Sequence, residues 1–99
     1  MKNWAQTIPS PDAYWVNRVL FDTQHQPELM ARFRADSQGY LADMPLLPTS
    51  RTALIDNAIG ALYHAGANPY LLRAHCLTLG VPEDEYLHAL RTFGQSQHG

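Results

Sequence analysis

The sequence is poor in the residues that mark several common protein classes. Among 99 residues it has one cysteine, Cys76, and one lysine, Lys2, and charged residues make up only 16%. A single cysteine excludes an internal disulfide framework and fits a reducing cytoplasm. A formal net charge of -2 leaves too few basic side chains for a nucleic-acid surface. No apolar run approaches the roughly 20 residues of a membrane span, so we expect a cytoplasmic protein that binds neither nucleic acid nor membrane.

The alternation of apolar and polar residues that marks a half-buried strand is also missing. Apolar residues instead recur every three to four positions, which predicts an all-α protein. We expect a single small domain of five main helices and one short helix over residues 10–94. An N-terminal arm, residues 1–9, would be ordered only if Trp4 and Ile8 dock, and residues 95–99 are expected to form a mobile tail.

Capping residues, prolines and glycines predict where the helices begin and end. Ser10 before Pro11 and Asn68 before Pro69 are typical helix starts, and Gly66 is a typical C-terminal cap. The expected helices run from 11 to about 23, from 29 to about 36, through 40–41 with Ser37 as cap, from a cap at Thr49 or Ser50 to 65, from 70 to 79, and from 82 to about 94.

The histidines and the cysteine do not form a recognisable catalytic or metal pattern. Zinc ligands usually come in pairs three to five residues apart. The histidines here, in contrast, are widely spaced: His25, His64, His75, His88 and His98. We therefore expect scattered surface and boundary histidines, and no metal site. Cys76 lies in the middle of an apolar helix, so a buried structural cysteine is expected rather than a nucleophile.

Polar and aromatic residues concentrate around one predicted turn between helices. Tyr63, His64, Asn68 and Tyr70 flank Gly66. Tyrosines at helix ends can direct their hydroxyl groups to solvent or to a partner. These four residues are our candidates for an interface or pocket rim, and no catalytic residue is expected. The alternative for each tyrosine is an amphipathic residue at the edge of the core.

Short motifs occur in an order that resembles a known family. The chain carries R-F-x-A-D-x-x-x-Y-L at 32–41, the Leu46-x-Pro48 turn, A-G-A-N-P-Y-L-L at 65–72 and G-V-P-E-D-E-Y at 80–86. Over residues 14–94 it resembles the small, α-type subunit of extradiol ring-cleavage dioxygenases, the protocatechuate 4,5-dioxygenase α-subunit family.

This resemblance implies a division of labour between two chains. In that family the helical small subunit makes no metal contact and packs on a larger α/β subunit. Two histidines and one glutamate of the larger subunit hold a non-haem Fe(II), which uses molecular oxygen to open a catechol-type ring beside its two hydroxyls. The resemblance therefore implies a non-catalytic small subunit that covers the active-site mouth, in an enzyme of aromatic compound catabolism that is active only as a complex. No cofactor is expected in this chain, and Fe(II) is expected in the partner.

Individual residues can be carried across from the family motifs. Asn68 and Tyr70 match the G-x-N-x-Y segment, and the acidic-acidic-Tyr helix start is matched at 84–86. Arg32 and Phe33 match the R-F pair. The resemblance assigns these residues to the fold and to subunit contact rather than to chemistry.

One departure from the family bears on the substrate. Longer members carry an extra loop between the last two helices, with an aromatic residue facing the substrate. Here residues 79–82 join these helices directly. The chain therefore resembles the shorter members, which include small subunits of aminobiphenyl-diol dioxygenases, and a pocket open to bicyclic catechols is expected.

Two other classes of function stay open from the residues alone. One is a free-standing helical interaction domain, including a leader-like docking domain for a peptide-modifying enzyme. A leader would be followed by a C-terminal substrate segment. The five-residue segment after Gly94 is too short and too polar to resemble one. The other is a self-contained metalloenzyme, which the histidine spacing disfavours and which the metal content of the purified chain would reveal.

Overall fold

Residues 10–98 are described by a computed structural model, with side chains described from 10 to 92. Regular structure in this range is helical throughout, which confirms the all-α prediction. The helices are α1 Pro11–His25, α2 Pro27–Ala35, α3 Ser37–Leu41, α4 Pro48–Asp56, α5 Ile59–His64, α6 Pro69–Thr78 and α7 Glu83–His98. None of these helices has the length and apolar character needed to cross a membrane. The predicted arm at 1–9 lies outside the described residues.

Two of the predicted helix starts are confirmed by their capping hydrogen bonds. The backbone N–H of Ala13 donates to Ser10 Oγ at 3.1 Å. Asn68 Oδ1 accepts from the N–H groups of Tyr70 and Leu71, at 2.9 and 3.3 Å. Each side chain satisfies donors that have no partner within the helix. Each is followed by a proline, which needs no such partner.

The predicted cap of the short helix α3 is wrong by one residue. Asp36, not Ser37, is the N-cap, and its Oδ1 accepts from the N–H of Gly39 at 3.0 Å. Asp36 alone separates α2 from α3, so it must end one helix and begin the next. Asp accepts this bond as well as Ser does, and it lies one position closer to the end of α2.

The predicted long helix is broken into α4 and α5 at Asn57. Asn57 has a left-handed backbone with φ of 50°, and its N–H donates to Leu54 O while Ala58 N–H donates to Ala53 O. This pair of bonds is a Schellman motif, which ends a helix around one left-handed residue. Asparagine is one of the few residues other than glycine that adopts this conformation readily. The prediction continued this helix to residue 65, with Gly66 as its cap, and it therefore missed the break at Asn57.

Two other predicted helix ends also differ from the structure. The helix α4 begins at Pro48, and its N-cap Leu47 makes no side-chain capping bond, so neither Thr49 nor Ser50 caps it. The backbone of α7 continues to His98, beyond the predicted end near residue 94.

Helix α1 lies at the centre of the core. It contacts α2, α4 and α6, while α5 packs on α4, α6 and α7. The buried apolar side chains with no more than 1% exposure come from five helices, α1 and α3 to α6: Val16, Val19, Leu20, Leu41, Leu54, Leu62, Leu72 and Cys76. The burial of Cys76 is as predicted. Helices this short are only marginally stable by themselves. Their stability in the folded chain therefore comes from the aliphatic contacts that they share in one core.

His75 is fully buried, which contradicts the expectation that the histidines lie at the surface or its boundary. Its ring lies edge-on to Phe33, with centroids 5.6 Å apart, and neither ring nitrogen has a hydrogen-bond partner among the described residues. His75 shares the inner face of α6 with Leu72 and Cys76, at helical spacing. Burial lowers the pKa of His75 to about 4, because the charged imidazolium would lose its hydration there.

The buried imidazole should make the protein sensitive to mild acid. The unfolded chain binds a proton at this group below about pH 6.5, whereas the folded chain resists protonation down to about pH 4. The free energy of unfolding should therefore fall between these two pH values, by about 3 kcal/mol from this group. The measurement is urea unfolding at several pH values between 4 and 8.

The variant His75→Leu should remove this part of the pH dependence. It should also raise the free energy of unfolding at neutral pH by about 1 kcal/mol, because an unpartnered buried polar group is replaced by an apolar one. His88→Gln, at an exposed position on α7, is the matched control and should retain the wild-type pH profile. Identical profiles for His75→Leu and the wild type would contradict this account.

Candidate functional site

The turn between α5 and α6 is fixed by a glycine that lies against α1. Gly66 has φ of 106°, and the N–H groups of Gly66 and Ala67 donate to Tyr63 O and Leu62 O at 3.1 and 3.0 Å. A methyl group at Gly66 would lie 2.8 Å from the Cβ of Ala13. Glycine is therefore required at this position for two reasons: the left-handed backbone and the close approach to α1.

Asn17 of α1 holds this turn from the side, and the sequence analysis missed it. Its Nδ2 donates to Gly66 O at 3.0 Å, and its Oδ1 accepts from the backbone N–H of Asn68 at 2.6 Å. The same amide also donates to Ala13 O at 3.0 Å. The Asn17 side chain thus bonds both a carbonyl and an N–H of the turn. These two bonds limit the movement of the turn relative to α1.

The structure brings the four predicted site residues to this one turn, in different roles. Tyr70 is 84% exposed and Tyr63 is 50% exposed, so both rings are available at the surface. His64 is exposed and lines a cleft beside the turn. The side chain of Asn68 caps α6, which gives this residue a structural role.

Tyr86 is buried beneath the start of α6. Its hydroxyl donates to Pro69 O at 3.4 Å. Burial raises the pKa of Tyr86, with smaller contributions in the same direction from Cys76 and Tyr63, while Arg73 opposes them. The phenol therefore stays protonated and packs under the turn, as its assignment to the fold implied.

A cleft of about 760 Å³ lies between the start of α1, residues 45–50 and α5. Most of its wall is apolar, and it is formed by Pro11, Pro45, Leu46, Leu47, Ala61 and Ala65. Asp12, Ser50 and His64 add polar groups. The combination of an apolar wall and a few polar groups is typical of sites that bind small molecules or peptide segments.

Asp12 builds one side of this cleft by capping α4 from another helix. Its Oδ1 accepts from Leu47 N–H at 2.8 Å, and its Oδ2 accepts from Ser50 Oγ at 2.5 Å. The start of α4 thereby obtains the carboxylate that its own sequence does not supply. Arg51 completes the support, since its guanidinium donates to Leu41 O and Met44 O.

The arrangement is suited to contact rather than to covalent chemistry. Cys76 is buried, and burial raises the pKa of its thiol, although the Asn57 amide 3.9 Å away partly offsets the shift. A thiol in this environment is a poor nucleophile. Among the side chains that the structure describes, no three His, Cys, Asp or Glu residues come close enough together to hold a metal ion.

A helical domain that presents tyrosines around one rigid turn, beside an apolar cleft, has the character of a subunit that binds another chain. Residues 16–96 match the model of a protein family, described as the aromatic-ring-opening dioxygenase LigAB, LigA subunit. The match covers most of the chain, and the chain therefore belongs to the LigA subunit family. Membership implies a dioxygenase small subunit in a hetero-oligomer with the large subunit of LigAB. No curated protein and no solved structure matches the chain.

Substitution of Gly66 should test how closely the turn and α1 depend on each other. Gly66→Ala should lower the free energy of unfolding by about 3 kcal/mol, because the left-handed backbone and the collision with Ala13 both oppose the new methyl group. Gly80→Ala is the matched control, with φ of 86° but no atom within 4 Å of the added Cβ. It should cost only about 1–2 kcal/mol, from the backbone alone.

The steric part can be separated by removing the methyl group of Ala13. In an Ala13→Gly background, the cost of Gly66→Ala should fall to that of Gly80→Ala. Chemical denaturation of the four variants measures these differences. An equal cost of Gly66→Ala in both backgrounds would mean that the α1 contact is not what demands glycine.

Proposed function

We propose that this chain is the non-catalytic small subunit of an Fe(II)-dependent extradiol ring-opening dioxygenase, and that it covers the active site of the larger, iron-binding subunit. The family match over residues 16–96 is the observation that carries the proposal. Tyr63, His64, Asn68 and Tyr70 form the interface or pocket rim, and the substrate is a catechol-type aromatic compound.

The surface around the α5–α6 turn supports this role. Tyr70 and Tyr63 place large aromatic rings in solvent in the free chain, next to a turn that Asn17 and Gly66 hold rigid. Aromatic residues are enriched in the centres of protein interfaces, where they bury much area at a small cost in side-chain entropy. Covering these rings with a second chain would remove their apolar surface from water.

The donor set of this chain favours placing the iron in the partner. Non-haem Fe(II) in oxygenases is held by a set such as two histidines and a carboxylate, with open positions for substrate and oxygen. Among the described side chains, no three His, Cys, Asp or Glu residues come together, and His75 is buried beside Phe33 with neither ring nitrogen hydrogen-bonded. These residues do not fit such a centre. The role of this chain is then to exclude water from the site and to shape its wall.

The short connection between α6 and α7 supports a substrate with more than one ring. Helix α6 ends at Thr78 and α7 begins at Glu83, and Gly80 ends α6 in a Schellman motif like those at Asn57 and Gly66. Such a tight connection leaves no long loop to narrow the substrate pocket. On the assembled complex, we expect kcat/KM to be higher for a biaryl catechol than for a monocyclic one, which steady-state kinetics with both substrates would measure.

The proposal is tested by capture of this chain from its native cell extract under anaerobic conditions, followed by mass spectrometry and iron analysis. We expect a larger chain in fixed ratio, with bound iron and with ring-opening activity toward catechols. Recovery of this chain alone would contradict the proposal and favour a free-standing interaction domain. Iron bound in stoichiometric amount to the purified small chain would instead favour a self-contained metalloenzyme.

Truncation of one exposed ring should weaken the complex without disturbing the fold. Tyr70→Ala should raise the Kd for the large subunit roughly 30-fold, equivalent to about 2 kcal/mol, as is usual for an aromatic residue in the centre of an interface. Titration calorimetry with the purified large subunit measures the change. Phe21→Ala is the matched control, because Phe21 is 48% exposed near the other end of α1. The Phe21 variant should leave the Kd unchanged, and an unchanged Kd for Tyr70→Ala would exclude Tyr70 from the interface.

A further inference from the structure

The outward face of α1 carries a line of mostly aromatic side chains, which we call the α1 stripe. Its members lie four, three and four residues apart, which places them in one line along the helix: Tyr14, Arg18, Phe21 and His25. All of them are exposed, and the rings of Tyr14 and Phe21 are 49% and 48% exposed. The stripe is about 17 Å long, since an α-helix rises about 1.5 Å per residue.

The side chains of the α1 stripe are held in place by one another. The hydroxyl of Tyr14 accepts from Arg18 Nη1 at 3.0 Å, and Arg18 Nε donates to Asp22 Oδ2 at 2.9 Å. The rings of Phe21 and His25 are stacked, with centroids 4.1 Å apart. Side chains that are already ordered lose less entropy when another molecule covers them. The stripe is therefore suited to contact at a low cost in entropy.

The two ends of the stripe carry a hydrogen-bond donor and a matching acceptor. His25 Nδ1 lies 2.9 Å from Phe21 O, and because a carbonyl oxygen can only accept, this nitrogen carries the ring proton. In the neutral ring, Nε2 is then an acceptor. The Tyr14 hydroxyl accepts from Arg18, and its own proton has no acceptor among the described residues. A Tyr14 hydroxyl can therefore donate to the Nε2 of a His25 that lies opposite it.

The middle of the stripe combines a cation with an aromatic ring. Arg18 and Phe21 lie on either side of its midpoint, and the Arg18 side chain is 49% exposed. A guanidinium group placed over an aromatic face is attracted by the charge distribution of the ring. The ion pair with Asp22 compensates the charge of Arg18, which lowers the cost of covering this arginine with an apolar group.

An antiparallel second copy of the stripe supplies a partner for each of these groups. When two identical helices pack antiparallel about a twofold axis, a residue near one end meets the residue at the same distance from the other end. With the axis midway between Arg18 and Phe21, Tyr14 of one copy lies opposite His25 of the other, and Arg18 lies opposite Phe21. Each contact occurs twice. A parallel arrangement would instead place the two Arg18 side chains against each other, with repulsion between like charges.

We propose that the α1 stripe is a self-association surface, on which a second copy of this chain binds antiparallel through Tyr14–His25 and Arg18–Phe21 contacts. The stripe shares no residue with the surface assigned above to the large subunit, and this inference does not rest on the proposed function. A single pair of helices buries less area than a standard-size interface, so the dimer is weak and reversible.

Analytical ultracentrifugation of the full chain over a range of concentrations tests the proposal. We expect a monomer–dimer equilibrium, and Phe21→Lys should raise the dimer Kd roughly 30-fold, because the new charge faces Arg18 of the second copy at two places in each dimer. Tyr63→Lys is the matched control, since Tyr63 is 50% exposed but lies on α5, and it should leave the dimer Kd unchanged.

Three results would overturn the proposal. One is a chain that stays monomeric up to about 1 mM. Another is a dimer that Tyr63→Lys weakens as much as Phe21→Lys does, because the α1 stripe would then not be the surface that binds. The third is a raised Kd for the large subunit in Phe21→Ala, because the stripe would then be covered by that subunit.

Mixing two variants tests the antiparallel register. Arg18→Glu by itself should also weaken the dimer, because it removes the cation that faces the ring of Phe21. In a mixed dimer with Phe21→Lys, the introduced carboxylate lies opposite the introduced ammonium group, while the unchanged Arg18 lies opposite the unchanged Phe21. The Kd of the mixed dimer should return to within about threefold of the wild-type value. Absence of mixed dimers, from variants whose circular dichroism shows that they are folded, would overturn the antiparallel arrangement and with it the proposal.

Discussion

The close approach of α1 to the turn between α5 and α6 determines how the rest of the chain is arranged. Gly66 has room for a hydrogen atom only, because Ala13 lies where a Cβ would be, and Asn17 bonds both sides of the turn. The same first turn of α1 caps α4 through Asp12. The first two turns of α1 therefore fix the relative positions of α4, α5 and α6, and with them the tyrosines and the cleft.

Helix ends that are set by a capping residue and its close neighbours could be predicted from the sequence. Helix ends at residue types that occur both within helices and at their ends could not. The starts at Ser10 and Asn68 follow from side chains that cap the N–H groups of nearby residues. The end at Gly66 follows from the freedom of a glycine backbone to adopt a positive φ. Asn57 was missed because asparagine is tolerated inside helices, as Asn17 is in α1, as well as in left-handed caps, so its presence alone does not fix a helix end. His75 could have been predicted as buried, since it follows Leu72 by three residues and precedes Leu79 by four on one face of α6.

The turn that carries the four candidate residues was predicted from the sequence, whereas the contacts that build its geometry were not. The exposure of Tyr63 and Tyr70 follows from their positions beside a helix end. The two groups that build the site act across the chain, however: Asp12 bonds Leu47 at a separation of 35 residues, and Asn17 bonds Asn68 at 51. The periodicity of apolar residues along the sequence does not indicate which distant residues form such hydrogen bonds. A usable signal was the presence of Asn17 within an otherwise regular helix, because asparagine is a poor helix former whose side chain competes for backbone hydrogen bonds.

Rigidity of the turn has a consequence for any partner that covers it. Binding is weakened by the entropy lost when flexible groups are ordered at an interface. Here the backbone that carries Tyr63 and Tyr70 is already held by the Schellman bonds at Gly66 and by the Asn17 amide. A tyrosine side chain has only two χ angles to fix. The apolar area of these rings is therefore available for association with another chain with little ordering of the backbone.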